Sequence, residues 1–238
     1  PTVSGGIEVP GDHRVDNRAL LRALAAACTA SGVTFVDGTV AALEPGPAAV
    51  LHSGGRIGAT DILLAAGTGL PTIEGLEHAG MPDVRPVKGT ILRLGPAPDR
   101  PTESFLPRTV RGLVRGRAVY LVPRADGSVV VGATVEERGD ADLAQAGSVH
   151  RLLDDARAII PAIDDMALLE TGVGLRPTTP SHHPFIGWTT LPHVAVATGH
   201  FRHGFLLAPI TADAVVALFD GEPLPSTLEA LASDTSGR

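Results

Sequence analysis

Apolar residues along the 238-residue chain switch between helical and strand-like periods, and the switches mark its elements. The stretch GDHRVDNRALLRALAAACTASG reads as a loop, a cap at Asp16 or Asn17, and an Ala/Leu helix ended by Gly32. VTFVDGTVAAL then reads as two short strands across a turn, and AAVLHSGGRIGATDILLAAG as a hairpin followed by a strongly apolar, buried strand. From PVKGTILRLG through RAVYLVPRADGSVVVGATVEE the pattern becomes strands joined by turns, with RADGS as a hairpin turn, which predicts a mostly antiparallel sheet. SVHRLLDDARAIIPAI carries Leu152, Leu153, Ala156, Ile159 and Ile160 at helical spacing and stops at Pro161, so this helix should pack on that sheet. MALLETGVGLRP is a strand leaving the sheet, and HVAVAT is another strand. The last periodic helix runs to about Phe219, after which the polar tail ASDTSGR is expected to fray.

This order predicts an α/β protein of α+β character with two lobes. Residues 1–80 and 172–238 form an α/β lobe, and a mostly antiparallel lobe, residues 81–171, is inserted into it. Ligands commonly bind where such lobes meet. A hydrophobic content of 44 % and a mean hydropathy of +0.20 are ample for a packed core. The net charge of −7 comes without a basic block, so neither nucleic acid nor an anionic membrane is an expected partner. Apolar runs such as DILLAAGTGL fall far short of the roughly 20 residues that span a bilayer. The single cysteine, Cys28, can make no internal disulfide, and with no Cys-x-x-Cys in the sequence a cytoplasmic home is expected. The opening PTVSGG has neither an initiator Met nor a signal peptide and reads as the interior of a longer chain.

The candidate chemistry concentrates at ATGHFRHGFLLAP, which places two histidines and an arginine where a strand meets a helix. The first N–H groups of a helix need acceptors and its positive end favours anions, yet here the cap is read as Gly204, with positive charge added beside it. An electron-rich ligand would supply the missing acceptor. There is no Gly-x-Ser-x-Gly elbow, and Cys28 sits in a helical Ala-rich run where a small buried residue is the ordinary explanation. His200 and His203 are three apart and His182 and His183 adjacent, but no carboxylate accompanies them at ligand spacing, so no metal site is assigned. In AAGTGL, Gly67 and Gly69 either turn the chain after a strand or admit the close approach of a cofactor. Arg176 in VGLRPTTP either pairs with a structural carboxylate or presents its fork to a substrate carboxylate. Tyr120, the only tyrosine, has a half-buried strand position as its ordinary reading.

Taken together, GDHRVDNRALLRAL, PVKGTIL, AVYLVPRADGSVVVGAT, TGVGLRPTTPSHHPFIG and ATGHFRHGFLLAP resemble the C-terminal two-thirds of a flavin-dependent amino-acid oxidase. The resemblance is to the glycine oxidase branch tied to thiamine thiazole synthesis, within the D-amino-acid and sarcosine oxidase group. It implies that residues 1–80 and 172–238 are the remaining part of an FAD-binding, Rossmann-like lobe whose N-terminal βαβ unit is absent, and that 81–171 bind substrate. On the same basis Val40, Gly67, Gly199, His200, Phe201, Arg202, His203, Gly204, Phe205, Leu206 and Leu207 are expected to contact the cofactor FAD. Arg176 and Tyr120 are expected to hold a substrate carboxylate, with Arg202 nearby and Val135 where the glycine oxidase pattern can show methionine. His203 departs from the Asn common in the family motif. No catalytic base is implied, because hydride transfer from an α-amino acid demands orientation first. The expected partners are a small amino acid and O2, and a homo-oligomer is compatible with the sequence. A sarcosine or D-amino-acid oxidase or dehydrogenase, or a non-catalytic remnant domain, stays open as an alternative.

The Gly-rich turn that would hold the pyrophosphate is not among these 238 residues, so the chain alone is expected not to retain FAD. Gel filtration checks this: the eluted chain should be colourless, and stoichiometric flavin absorbance would contradict it.

Overall fold

The computed structural model describes residues 4–96, 106–140 and 143–223. The frayed tail expected at the C-terminus lies outside them. Two units emerge, each made of discontinuous segments: one from residues 4–35, Lys88–Glu136 and Asp140–Gly174, the other from Val36–Val87, Glu137–Gly139 and residues 175–223. The chain is thus interleaved rather than split end to end. Residues 4–35 group with the first of these units, whereas chain order alone places them with the α/β lobe.

The first unit is an antiparallel scaffold. Its elements are α1 (Asn17–Ala30), most of β5 (Arg85–Gly95), β6 (Val110–Val114), β7 (Arg117–Pro123), β8 (Val129–Gly132), α2 (Ala146–Ile159) and most of β9 (Ala167–Thr178). The sheet order is β6-β7-β8-β5-β9, and β6-β7, β7-β8 and β8-β5 are all antiparallel. Alternation along β7 sends Val119 and Leu121 into a core with Leu92, Val129, Val131, Leu152 and Ala156, so the apolar stripe of α2 covers this face as its spacing predicts. Arg117 and the buried Asp155 tie β7 to α2 (Nε–Oδ2 2.9 Å). The RADGS turn forms between β7 and β8, its Asp126 accepting from the Ser128 backbone at 2.9 Å. Helix α1 starts as predicted, with Asp16 accepting from Ala19 N (2.9 Å), but it buries none of its residues. It is attached through Arg18–Glu170 (3.0 Å), while the preceding loop is attached through Asp12–Arg111 (2.9 Å). Cys28 is accordingly half-buried on α1 rather than in a core.

The second unit carries two small sheets. One is the meander β1 (Val40–Glu44), β2 (Ala48–Leu51) and β3 (Arg56–Gly58). The other has the order β10-β11-β4, from Phe185–Trp188, Val194–Thr198 and Ile62–Leu64, with β11 and β4 parallel and β10 antiparallel to β11. Helix α3 (Gly204–Asp220) follows β11 and packs Ala214 against Ile186 of β10. The first strand expected in VTFVDGTVAAL does not form. Residues 33–37 make no strand pairing among the described residues, and Val33, Phe35 and Val36 stay exposed. β-Propensity describes fit to a pleated surface and cannot by itself supply a neighbouring strand. Among the described residues no helix is long and apolar enough to cross a membrane.

Leu121 is fully buried between β7 and α2, so Leu121→Ala should destabilise the protein by about 2–5 kcal/mol. Urea unfolding should show a lower midpoint with an unchanged slope, and an unmoved midpoint would mean that this core does not limit stability.

Candidate functional site

In the second unit three chain segments meet at the carboxyl ends of the parallel strands β4 and β11, the end at which open α/β sheets bind ligands. After β4 the chain enters a short 3-10 turn at Gly67–Thr72, where Gly67 has φ +55 and a Cβ on it would lie 3.8 Å from Pro177 Cγ. After β11 it enters Gly199–His203. Between them β9 ends in Arg176, Pro177 and Thr178. Phe201 N donates to Pro177 O (2.9 Å), and Thr178 and His200 form an antiparallel bridge. The GLRP and GHFRHG motifs, 20-odd residues apart in sequence, are therefore neighbours through their backbones.

The turn is made from conformations that ordinary residues avoid. Gly199 has φ +80, and a Cβ there would lie 2.6 Å from Thr179 Cγ2 and 3.3 Å from His183 O, so only glycine fits. Phe201 and His182 hold φ +49 and +60 without being glycine, a strain that clusters at functional sites. Their rings meet at 5.3 Å, the guanidinium of Arg202 lies 5.4 Å above the Phe201 ring, and His182 Nδ1 is 2.9 Å from Thr178 Oγ1. The sequence pattern assigns His182 no role. A left-handed φ in a residue with a side chain cannot be read from composition, so its place against Phe201 emerged only from the fold.

Helix α3 is capped one residue earlier than the sequence suggests. His203 is the N-cap and Gly204 the first helical residue, because His203 takes φ −105 and ψ 8 while its own N–H is used by His200 O (2.9 Å). No side chain caps this terminus. The first-turn N–H groups of α3, around Gly204, Phe205 and Leu206, thus lack a side-chain acceptor, with the exposed Arg202 and His203 beside them. Phe205 and Leu206 are exposed at 49 % and 77 %, and Leu207 N–H returns to His203 O (2.9 Å). A Cβ on Gly204 would meet only His200 Cβ, at 3.7 Å, so nothing inside the chain requires glycine there. His200 Nε2 shares a hydrogen bond with Thr211 Oγ1 (2.9 Å), and burial pushes its imidazole below the ordinary pKa of 6.5.

The remaining predicted residues lie elsewhere. Val40 starts β1 in the same unit, paired with Leu51. Tyr120 and Val135 belong to the antiparallel unit. Tyr120 points to the sheet face away from α2 and lies over Gly132, its register partner on β8, where a Cβ would come within 2.7 Å of three atoms of the phenol. Val135 is half-exposed on the continuation of β8, flanked by Glu136, whose backbone pairs with Lys88 in both directions (2.9 Å each). Burial raises the Glu136 carboxyl, but hydroxyl donors on Thr134, Ser148 and Thr90, with the buried Lys88, hold it below its ordinary value. Among the described residues no group of three or more His, Cys, Asp or Glu could hold a metal ion.

The family model described as FAD dependent oxidoreductase matches residues 1–218. The chain belongs to that family. It is 36 % identical over 220 residues to the bifunctional protein ThiO/ThiG of Nostoc sp., covering 91 % of this chain and 32 % of that protein. It is 34 % identical over 178 residues to the glycine oxidase of Pseudomonas aeruginosa, covering 74 % of this chain and 46 % of that protein. The fold superimposes on the crystal structure of glycine oxidase from Geobacillus kaustophilus with a TM-score of 0.82 at 26 % identity, over 94 % of this chain and 59 % of that one. The chain therefore spans only part of the length of these relatives.

The depressed pKa of His200 links stability to pH. The unfolded chain takes up this proton more readily, so the stability His200 contributes is complete above pH 6.5 and is lost as pH falls below it. His200→Gln should show a shallower loss than wild type in urea titrations from pH 7.5 to 5, the difference being bounded by about 1.4 kcal/mol per pH unit. Parallel curves would mean that the imidazole protonates equally in both states.

Proposed function

We propose that the protein oxidises glycine or another small amino acid in thiamine thiazole synthesis. The overall reaction takes the amino acid, O2 and water to the 2-oxo acid, ammonia and H2O2 through an imine that hydrolyses in solution. The observation that carries this reading is the backbone pairing of Pro177 and Thr178 with His200 and Phe201, which fastens an arginine-bearing strand end to an uncapped, positively flanked helix N-terminus.

These residues fit a flavin. The glycine-only turn at Gly199, the unfilled space outside Gly204 and the free first-turn N–H groups suit a flat ring with an electron-rich edge. FAD, when bound, supplies the hydride acceptor. We assign the second unit, with Val40, Gly67 and Gly199 to Leu207, to holding it, and the antiparallel unit to the substrate. The positive end of α3 favours negative charge on the group it faces, and Arg202, braced on the Phe201 ring, adds to that field. Arg176 takes the substrate carboxylate in a bidentate clamp, which sets the position of Cα. Tyr120 donates its hydroxyl to the substrate and Val135 limits the room for its side chain. Both roles rest on the motif match.

In the holoenzyme, loss of one charged partner from a water-poor site typically costs about 2–5 kcal/mol, so Arg176→Ala should lower kcat/KM for glycine by roughly 30- to 5000-fold. Lysine should restore only part, keeping charge without the planar fork. Bound flavin, read by absorbance, should be unchanged. Stopped-flow flavin reduction at the wild-type rate and glycine dependence would remove Arg176 from the clamp.

A further inference from the structure

A cavity of about 590 Å³ opens in the second unit at the end of the parallel pair opposite the candidate site. Its walls include Asp61, Leu191, His193, Trp188 and Phe219. Asp61 and His193 immediately precede β4 and β11, whereas Gly67 and Gly199 follow them. At about 3.3 Å per residue, the step along β11 from His193 to Gly199 separates this cavity from the candidate site by about 20 Å.

The walls are fixed by interactions that do not involve a ligand. Ile62 N donates to His193 O (2.9 Å), joining the two strand starts. The buried Thr189 hydroxyl donates to Val194 O (2.9 Å) and accepts from Leu191 N (3.1 Å), and Thr190 N donates to Ala79 O (2.9 Å). Within this braced loop His193 holds φ +65, a left-handed conformation that residues with a side chain rarely adopt. Its ring is anchored to Asp61, Nδ1 to Oδ1, at 3.0 Å. Trp188 and Phe219 form one aromatic wall, with centroids 5.1 Å apart, and Trp188 Nε1 is buried without a hydrogen-bond partner among the described residues.

We propose that this cavity binds a small planar aromatic cation, independently of the reaction proposed above. Aromatic faces attract cations and take up flat rings, and the Asp61 carboxylate beside them keeps Oδ2 to accept from a ligand N–H while Oδ1 holds His193. An anion of the same shape would face that carboxylate, and a neutral one would gain the walls alone.

Trp188 is the only tryptophan, so 5-fluorotryptophan labelling gives the chain one 19F resonance that reports this wall. Benzamidine, benzamide and benzoate share size and shape and differ in charge. Benzamidine should shift the resonance saturably, with a Kd at least tenfold below those of benzamide and benzoate, and Asp61→Asn should erase that tenfold preference. Absence of a saturable shift, equal affinity for the three probes, or a preference that survives Asp61→Asn would overturn the proposal. The three-probe comparison on the unaltered chain decides the matter even where the variant does not fold.

Discussion

A single backbone hydrogen bond, from Phe201 N–H to Pro177 carbonyl, with the adjoining Thr178–His200 bridge, sets the geometry on which the site depends. It joins the end of β9 to the turn after β11, and so couples the strand leaving the antiparallel sheet to the N-terminus of α3. The turn closes this tightly because Gly199 offers no Cβ to Thr179 and because Phe201 and His182 accept left-handed conformations. Rigid strands thereby deliver a loop in a strained but fully determined shape.

The two units divide the physical work differently. The antiparallel unit is stabilised by conventional burial, with Leu92, Leu121, Val129 and Val131 under α2, and it keeps the opposite face of β7 for Tyr120 over Gly132. The other unit has smaller cores and a largely exposed α3, and it uses hydrogen-bonded turns at both ends of β4 and β11. Ligand chemistry gathers where turns, not cores, fix the side chains. Both proposed sites follow this rule, one at the uncapped start of α3 and the other at the Asp61–His193 pair.

The sequence by itself determined most elements and the family. Helical spacing in 148–160, the RADGS turn, the Asp16 cap and the apolar strands all act over a few residues, where propensity and burial agree. It also pointed to the α3 junction, since positive charge at a helix start without an Asp or Ser cap is visible in one dimension. Only the tertiary structure decided the rest. Residues 33–37 carry a strand's composition yet pair with nothing among the described residues, because a strand exists by its partner. The meeting of Pro177 with Phe201, the left-handed His182 and His193, and the cavity beside Trp188 arise from contacts between segments distant in sequence. Local pattern does not encode which backbone carbonyl a distant N–H will find, and closure of the whole sheet and its turns fixes that choice.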